Sequence, residues 1–207
     1  METILTDKFT EIYQKNLWGS PESVSGTGST KQNTLKLRQE LLYLFAKYNI
    51  KSMLDIPCGD FNWMQYVDLT GIEYIGADIV PELIESNKVK FPDIDFRVLD
   101  IVSSDLPKVD LIFVRDCLGH LSDYNVNNAI NNMVKSGSKY ILATSFTKYD
   151  YNTNIVDGGW RCINLLIKPF KLKPQYLINE DCREEYPYYN DKCMILFDIN
   201  DIKSKRS

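Results

Sequence analysis

The 207 residues are 44% hydrophobic and 25% charged, with a net charge of −4. Such a chain buries a full core instead of staying disordered, and its acidic balance argues against a nucleic-acid groove, which needs a basic footprint. No apolar run approaches the length that spans a bilayer and no signal peptide is read at the start, so a cytoplasmic protein without membrane insertion is expected.

Along the chain, Phe9, Ile12 and Tyr13 have helical spacing, and Leu17-Trp18-Gly19-Ser20-Pro21 ends that helix. Residues 22–30 are small and polar, which fits either a flexible linker or a lid, with Gly26 and Gly28 allowing close backbone approach and Trp18 offering an aromatic wall. A helix is predicted over 34–48, capped by Thr34 or Asn33, with Leu37, Leu41, Leu44, Phe45 and Tyr48 on one face. Then Ser52-Met53-Leu54-Asp55-Ile56-Pro57-Cys58-Gly59 reads as a buried parallel strand that stops on an acid and breaks into a tight turn. Residues 73–79 and 94–101 repeat the pattern, ending near Asp78 and Asp100; Asp78 follows Asp55 by 23 residues and Asp100 follows Asp78 by 22. Three strands at one βα-unit spacing, each delivering a carboxylate, make one ligand site at the edge of an open α/β sheet. Between them, Trp63 to Val67 starts a short helix, and Pro81 opens another where its missing N–H costs nothing.

The fourth strand, 109–115, runs straight into Asp116-Cys117-Leu118-Gly119-His120-Leu121-Ser122, and His120 is the chain's single histidine. Ser122 or Asp123 caps the next helix, whose apolar face is Val126, Ala129, Ile130, Met133 and Val134. A fifth strand covers 140–146, followed by a long polar connection. Gly158-Gly159-Trp160-Arg161 then fits an acceptor site or a buried turn equally well. Residues 176–182 and 193–199 read as a terminal antiparallel pair around a charged aromatic loop, 183–189, and 203–206 as a solvated tail. The five cysteines form no Cys-x-x-Cys pair and are read as reduced thiols; no metal is expected.

The acid series resembles the class I S-adenosylmethionine-dependent methyltransferases over about residues 38–149. That resemblance implies a Rossmann-like α/β fold with a central, mostly parallel seven-stranded sheet, helices on both faces and an antiparallel carboxyl-terminal pair. It implies one domain, with 1–33 as helix and possible lid, 34–149 as cofactor-binding core and 150–207 as acceptor loops and last strands. It also implies S-adenosyl-L-methionine as cofactor: Asp55 and Gly59 in the first loop, Asp78 on the ribose hydroxyls with Ile79 beside it, and Asp100 with Ile101 at the adenine. Trp18 and Arg115 complete the expected contacts, and Arg38 either clamps the methionyl carboxylate or is a plain surface arginine. The sequence departs from the family in one place: Pro57 and Phe61 stand where the outer glycines of Asp-x-Gly-x-Gly-x-Gly belong, so Gly59 is expected to carry the close approach.

Methyl transfer to a hydroxyl needs a base, and His120 has the right ordinary pKa for it; Asp116 is the alternative base, or the residue that orients the ring. Trp18-Gly19-Ser20, the 116–122 run and the 158–161 run together look like small bacterial methyltransferases of surface-polysaccharide (capsule) modification. That implies a sugar hydroxyl, on a nucleotide-linked sugar, as acceptor, in a monomer or homodimer that binds no nucleic acid. An amine or protein acceptor is the rival. A NAD-dependent oxidoreductase would want a fuller Gly-x-Gly-x-x-Gly and usually lacks the third acid, and a non-catalytic module would not need His120 and Asp116.

Overall fold

The computed structural model describes residues 2–181 and 189–206. Seven strands form one sheet: β1 (Ser52–Asp55), β2 (Glu73–Asp78), β3 (Asp95–Val98), β4 (Leu111–Val114), β5 (Tyr140–Phe146), β6 (Tyr176–Asn179) and β7 (Lys192–Asp198), in the order β3-β2-β1-β4-β5-β7-β6. The first five strands run parallel, and β7 lies antiparallel to both β5 and β6, as expected for the terminal pair. The order reverses between β1 and β4, so a crevice opens beyond the carboxyl ends of those two strands.

Both faces of the sheet are covered, which is why its central strands are apolar without alternation. Leu54, Ile112, Ile141 and Ile195 face one core with Val126, Ala129, Ile130 and Met133 of helix α4 (Asp123–Lys135). Their chain neighbours Met53, Leu111, Phe113, Leu142 and Met194 face the other core, packed on Leu37, Leu41, Leu44 and Phe45 of α2 (Leu35–Lys47). Strand pleating alone sorts neighbours onto opposite faces. Each of the fully buried leucines of α2 contributes roughly 1.5–3 kcal/mol.

Helix α1 (Glu2–Gln14) and α3 (Pro81–Lys90) complete the layers near the crevice, with Pro81 in the first turn as its chemistry favours. Ser122 caps α4 by accepting from the Asn125 N–H at 3.3 Å. Thr34 does not cap α2 with its side chain; its hydroxyl donates to the Thr30 carbonyl at 2.8 Å, tying the helix to the segment before it. The stretch after Trp63 tightens to a 3-10 turn, Met64–Tyr66. The tail expected at 203–206 is instead the end of α5 (Ile199–Arg206), held by buried Ile199 and Ile202. The charged aromatic loop and Cys182 lie outside the described residues, apart from Tyr189. No helix of the described residues is long and apolar enough to cross a membrane.

Candidate active site

Ten of the eleven residues expected at the site line one cavity beyond the carboxyl edge of β1, β2 and β4; Arg38 is the exception. Asp55 and Asp78 are the last residues of their strands. The Tyr74 hydroxyl donates to Asp55 at 2.7 Å, and burial pushes the Asp55 carboxyl up to about 7. Asp78 accepts from the N–H groups of Val80 at 3.0 Å and Gly59 at 3.3 Å, and burial raises it to about 6. Asp100 stands two residues beyond β3 and closes the following turn, accepting from the Val102 N–H at 2.9 Å and the Ser103 hydroxyl at 2.6 Å. Each carboxylate oxygen has a second lone pair, so these carboxylates can still accept from hydroxyl or amino donors. Ile79, Val80, Leu83, Leu99 and Ile101 supply an apolar wall beside them. Apolar walls with a few carboxylates suit a nucleoside, and they fit the cofactor the sequence resemblance implies.

The altered glycine loop has a physical explanation. Phe61 adopts the left-handed conformation (φ 57°) in which a glycine is usual, and its buried ring packs against Tyr74, Phe91 and Phe96. Packing of the ring offsets a backbone cost that glycine would avoid. Gly59 is also left-handed (φ 55°), and a Cβ there would stand 2.1 Å from the Ser25 hydroxyl. The loop is therefore pressed against the segment expected to be linker or lid. That segment is fastened to Asp60, which accepts from the Ser23 hydroxyl at 2.9 Å and the Val24 N–H at 3.0 Å. Asn62 donates to Glu22 at 2.8 Å and to the Ser29 carbonyl at 3.0 Å.

Arg38 points elsewhere: it donates to the Lys31 carbonyl at 3.0 Å and its guanidinium lies over the Tyr66 ring. The cationic side chain in the cavity wall is Arg115. It pairs with buried Glu180 at 2.7 Å, donates to the Gly28 carbonyl at 3.0 Å, and stands 3.2 Å from Asp116. Sequence reading did not find Glu180, which comes from the end of β6, 65 residues away.

At the far end of the cavity His120 lies in the 3-10 turn Leu118–His120, its ring between those of Trp18 (centroids 5.0 Å) and Trp160 (4.8 Å). Its Nδ1 is 2.7 Å from the Gly159 carbonyl. A carbonyl only accepts, so the neutral ring carries its proton on Nδ1 and leaves the Nε2 lone pair available. Burial lowers the imidazole pKa, against the Gly159 carbonyl and Asp116, which raise it. Asp116 does not orient the ring. It is turned to Lys192 at 2.6 Å, and although burial alone would raise its carboxyl, Lys192 and Arg115 hold it down at about 2. A carboxylate paired in this way to Lys192 and Arg115 is a poorer candidate base than the His120 ring.

Gly158-Gly159-Trp160-Arg161 is a turn docked on the histidine. Gly158 N–H donates to the His120 carbonyl at 2.8 Å, and Arg161 N–H to the Gly119 carbonyl at 3.1 Å. A Cβ at Gly119 would stand 2.8 Å from the Arg161 carbonyl, so the two segments lie in direct backbone contact. Asp157 accepts from the Ser122 N–H at 2.7 Å and from Asn125 at 2.9 Å.

Comparison with known proteins agrees with this geometry. Residues 54–142 match the family described as a methyltransferase domain. A methyltransferase-named protein of Invertebrate iridescent virus 6 is 34% identical over 98 residues, 45% of this chain. The chain spans only 37% of that viral protein's length. The N-methyltransferase NodS of Bradyrhizobium japonicum, crystallised with S-adenosylhomocysteine, superposes with a TM-score of 0.62 over 90% of this chain and 97% of its own, at 17% identity. Magnesium protoporphyrin IX methyltransferase of Synechocystis, crystallised with S-adenosylmethionine, gives 0.60 over 95% and 96%, at 14% identity. At these identities the likeness is one of fold: a Rossmann-like sheet with the antiparallel carboxyl-terminal pair.

Proposed function

From a methyltransferase domain carried on the fold of methyltransferases crystallised with this cofactor, we propose that the chain is an S-adenosylmethionine-dependent methyltransferase acting on a sugar hydroxyl. The observation that carries the reading is the single cavity in which Asp55, Asp78 and Asp100 lie at one end and His120 at the other. Asp78 and Asp100 hold the nucleoside's hydroxyl and amino donors, with Ile79 and Ile101 against its apolar faces. Asp55 is a buried support behind them. Arg115, set by Glu180, presents positive charge toward the cofactor's carboxylate.

When bound, the cofactor supplies a methyl group on a sulfonium, open to in-line attack. The protein's task is to hold the acceptor in line and take its proton. His120 does the second with Nε2, since Nδ1 is engaged with Gly159. The hydroxyl proton would pass to Nε2 as the O–C bond forms, while the cofactor, as methyl donor, would give up its S–CH3 bond and keep that electron pair as a neutral thioether; the imidazolium would then lose its proton to solvent.

Half-exposed Trp18 and Trp160 both stand against the His120 ring, and aromatic faces accept the C–H faces of a sugar. A nucleotide-linked sugar of surface-polysaccharide synthesis is the acceptor class proposed. An amine is the second reading, favoured by the N-methyltransferase name of the NodS neighbour. Calorimetry of the purified chain with S-adenosylhomocysteine and with NAD tests the cofactor. A screen of nucleotide sugars and small amines for S-adenosylhomocysteine release tests the acceptor. Turnover of amines alone would overturn the sugar reading, and binding of NAD alone would overturn both.

A further inference from the structure

We propose that Arg161 is a positioning residue that fixes which ring nitrogen of His120 faces the acceptor, an inference that rests on the reading of His120 as the base. Its side chain is buried and bridges three pieces of chain: Nη1 to Asp123 at 2.6 Å and to the Thr153 carbonyl at 2.5 Å, Nη2 to the Leu121 carbonyl at 3.0 Å. These partners lie in the first turn of α4, in the loop after β5, and directly after the histidine. Arg161 thereby clamps residues 157–161 onto the 3-10 turn Leu118–His120, with Asp157 fastening the other end of the run.

The consequence falls on one hydrogen bond. Gly159 sits between the two fastened ends, and its carbonyl is the partner of His120 Nδ1. If the run drifts, the carbonyl leaves the ring, Nδ1 loses the acceptor that holds its proton, and the neutral ring can place the proton on Nε2 instead. A ring so protonated presents a donor where a base is needed. A planar guanidinium bridging a carboxylate and two carbonyls is suited to this task, because its fork is rigid and always charged. Lysine offers a point charge without that geometry. The run also packs against the ring through Trp160, whose indole lies tilted 46° to the imidazole, so its position bears on the ring plane as well as the tautomer.

The single histidine makes the inference readable in solution. Histidine-selective 15N NMR of the full chain reports both ring nitrogens through a pH titration. In the wild-type chain the neutral ring is expected to carry its proton on Nδ1, with a midpoint below the ordinary 6.5, since burial outweighs the Gly159 carbonyl. Asp116 also faces the ring and raises the midpoint, while Lys192 lowers it; both remain in the variant. In Arg161→Ala the proton should spread to Nε2 and the midpoint should fall further below 6.5, since the Gly159 carbonyl that holds it up is lost while the ring stays buried. kcat should fall by roughly 10²-fold, the scale of a small misplacement, with S-adenosylhomocysteine affinity unchanged. Arg161→Lys should fall between the two. Should Arg161→Ala not fold, Asp123→Ala removes one leg of the clamp and should move the ring the same way by less. A folded variant with the wild-type tautomer and midpoint overturns the proposal. His120→Ala with normal kcat would instead sink the base reading and leave the NMR result standing.

Discussion

The two halves of the cavity are held by different kinds of structure. At the β1–β3 half, each carboxylate sits at a strand end or two residues past it, and its partners are mostly near in sequence: Val80 for Asp78, Val102 and Ser103 for Asp100. At the β4–β7 half, His120 is oriented by a carbonyl 39 residues away and Arg115 by a carboxylate 65 residues away. The first half can be written in short motifs. The second exists only when distant loops are packed, so chemistry there is more easily lost by changes that touch no ligand.

The largest expected effect separates the halves directly. His120→Ala should lower kcat by roughly 10²–10⁴ while leaving cofactor affinity unchanged, as removal of a general base does. Because burial lowers the ring's pKa, the neutral, active form prevails above a midpoint lying below 6.5. The wild-type rate should climb with pH through that midpoint, and the climb should be absent from the variant. A steady-state rate within a few-fold of wild type would break the division of labour.

Next in size, Phe61→Ala should cost about 3–5 kcal/mol of folding stability, the scale for emptying a buried phenylalanine site. A urea midpoint close to wild type would mean that the ring does not fix the loop. Asp78→Ala should weaken S-adenosylhomocysteine binding by about 1.5–3 kcal/mol, the worth of hydrogen bonds to a charged group, with kcat at saturation little changed. Equal affinity by calorimetry would take Asp78 out of the ribose site. The smallest effect expected is that of Arg38→Ala. Its contact with Tyr66 is worth at most about 1 kcal/mol of stability, and cofactor affinity should not move.

How much the sequence revealed follows the same divide. The strand-end acids were legible because an apolar run, an acid and a turn lie within ten residues, and the parallel part of the sheet was legible from that same rhythm; the strand order was not. Phe61 looked like a defect in the glycine loop because the pattern records no ring packing; three aromatic partners, from β2, from β3 and from the residue just after α3, make it a structural choice. Arg38 stayed open between clamp and surface arginine for the converse reason: a residue type and a helix position do not say that the side chain turns to Lys31 and Tyr66. Asp116 and His120 were found together, but not that Lys192 takes the carboxylate and Gly159 the imidazole. No spacing encodes those pairings, since 76 and 39 residues separate the partners. Paired glycines at 158 and 159 were the only local sign of the docked turn.

Asp60 has a bearing on time more than on affinity. One carboxylate receives the Ser23 hydroxyl and the Val24 N–H, and Gly28 is tied separately to Arg115, so the 20–30 segment is fastened in place from the protein's own side. Were the segment the lid of the proposed cofactor site, a ligand beneath it would leave only as fast as those bonds open, whatever its own contacts are worth. Residence and binding strength are then set by different residues. Loosening Asp60 would then raise entry and exit rates together, trading a slow, sheltered turnover for a fast, leaky one without altering a single group proposed to touch the nucleoside.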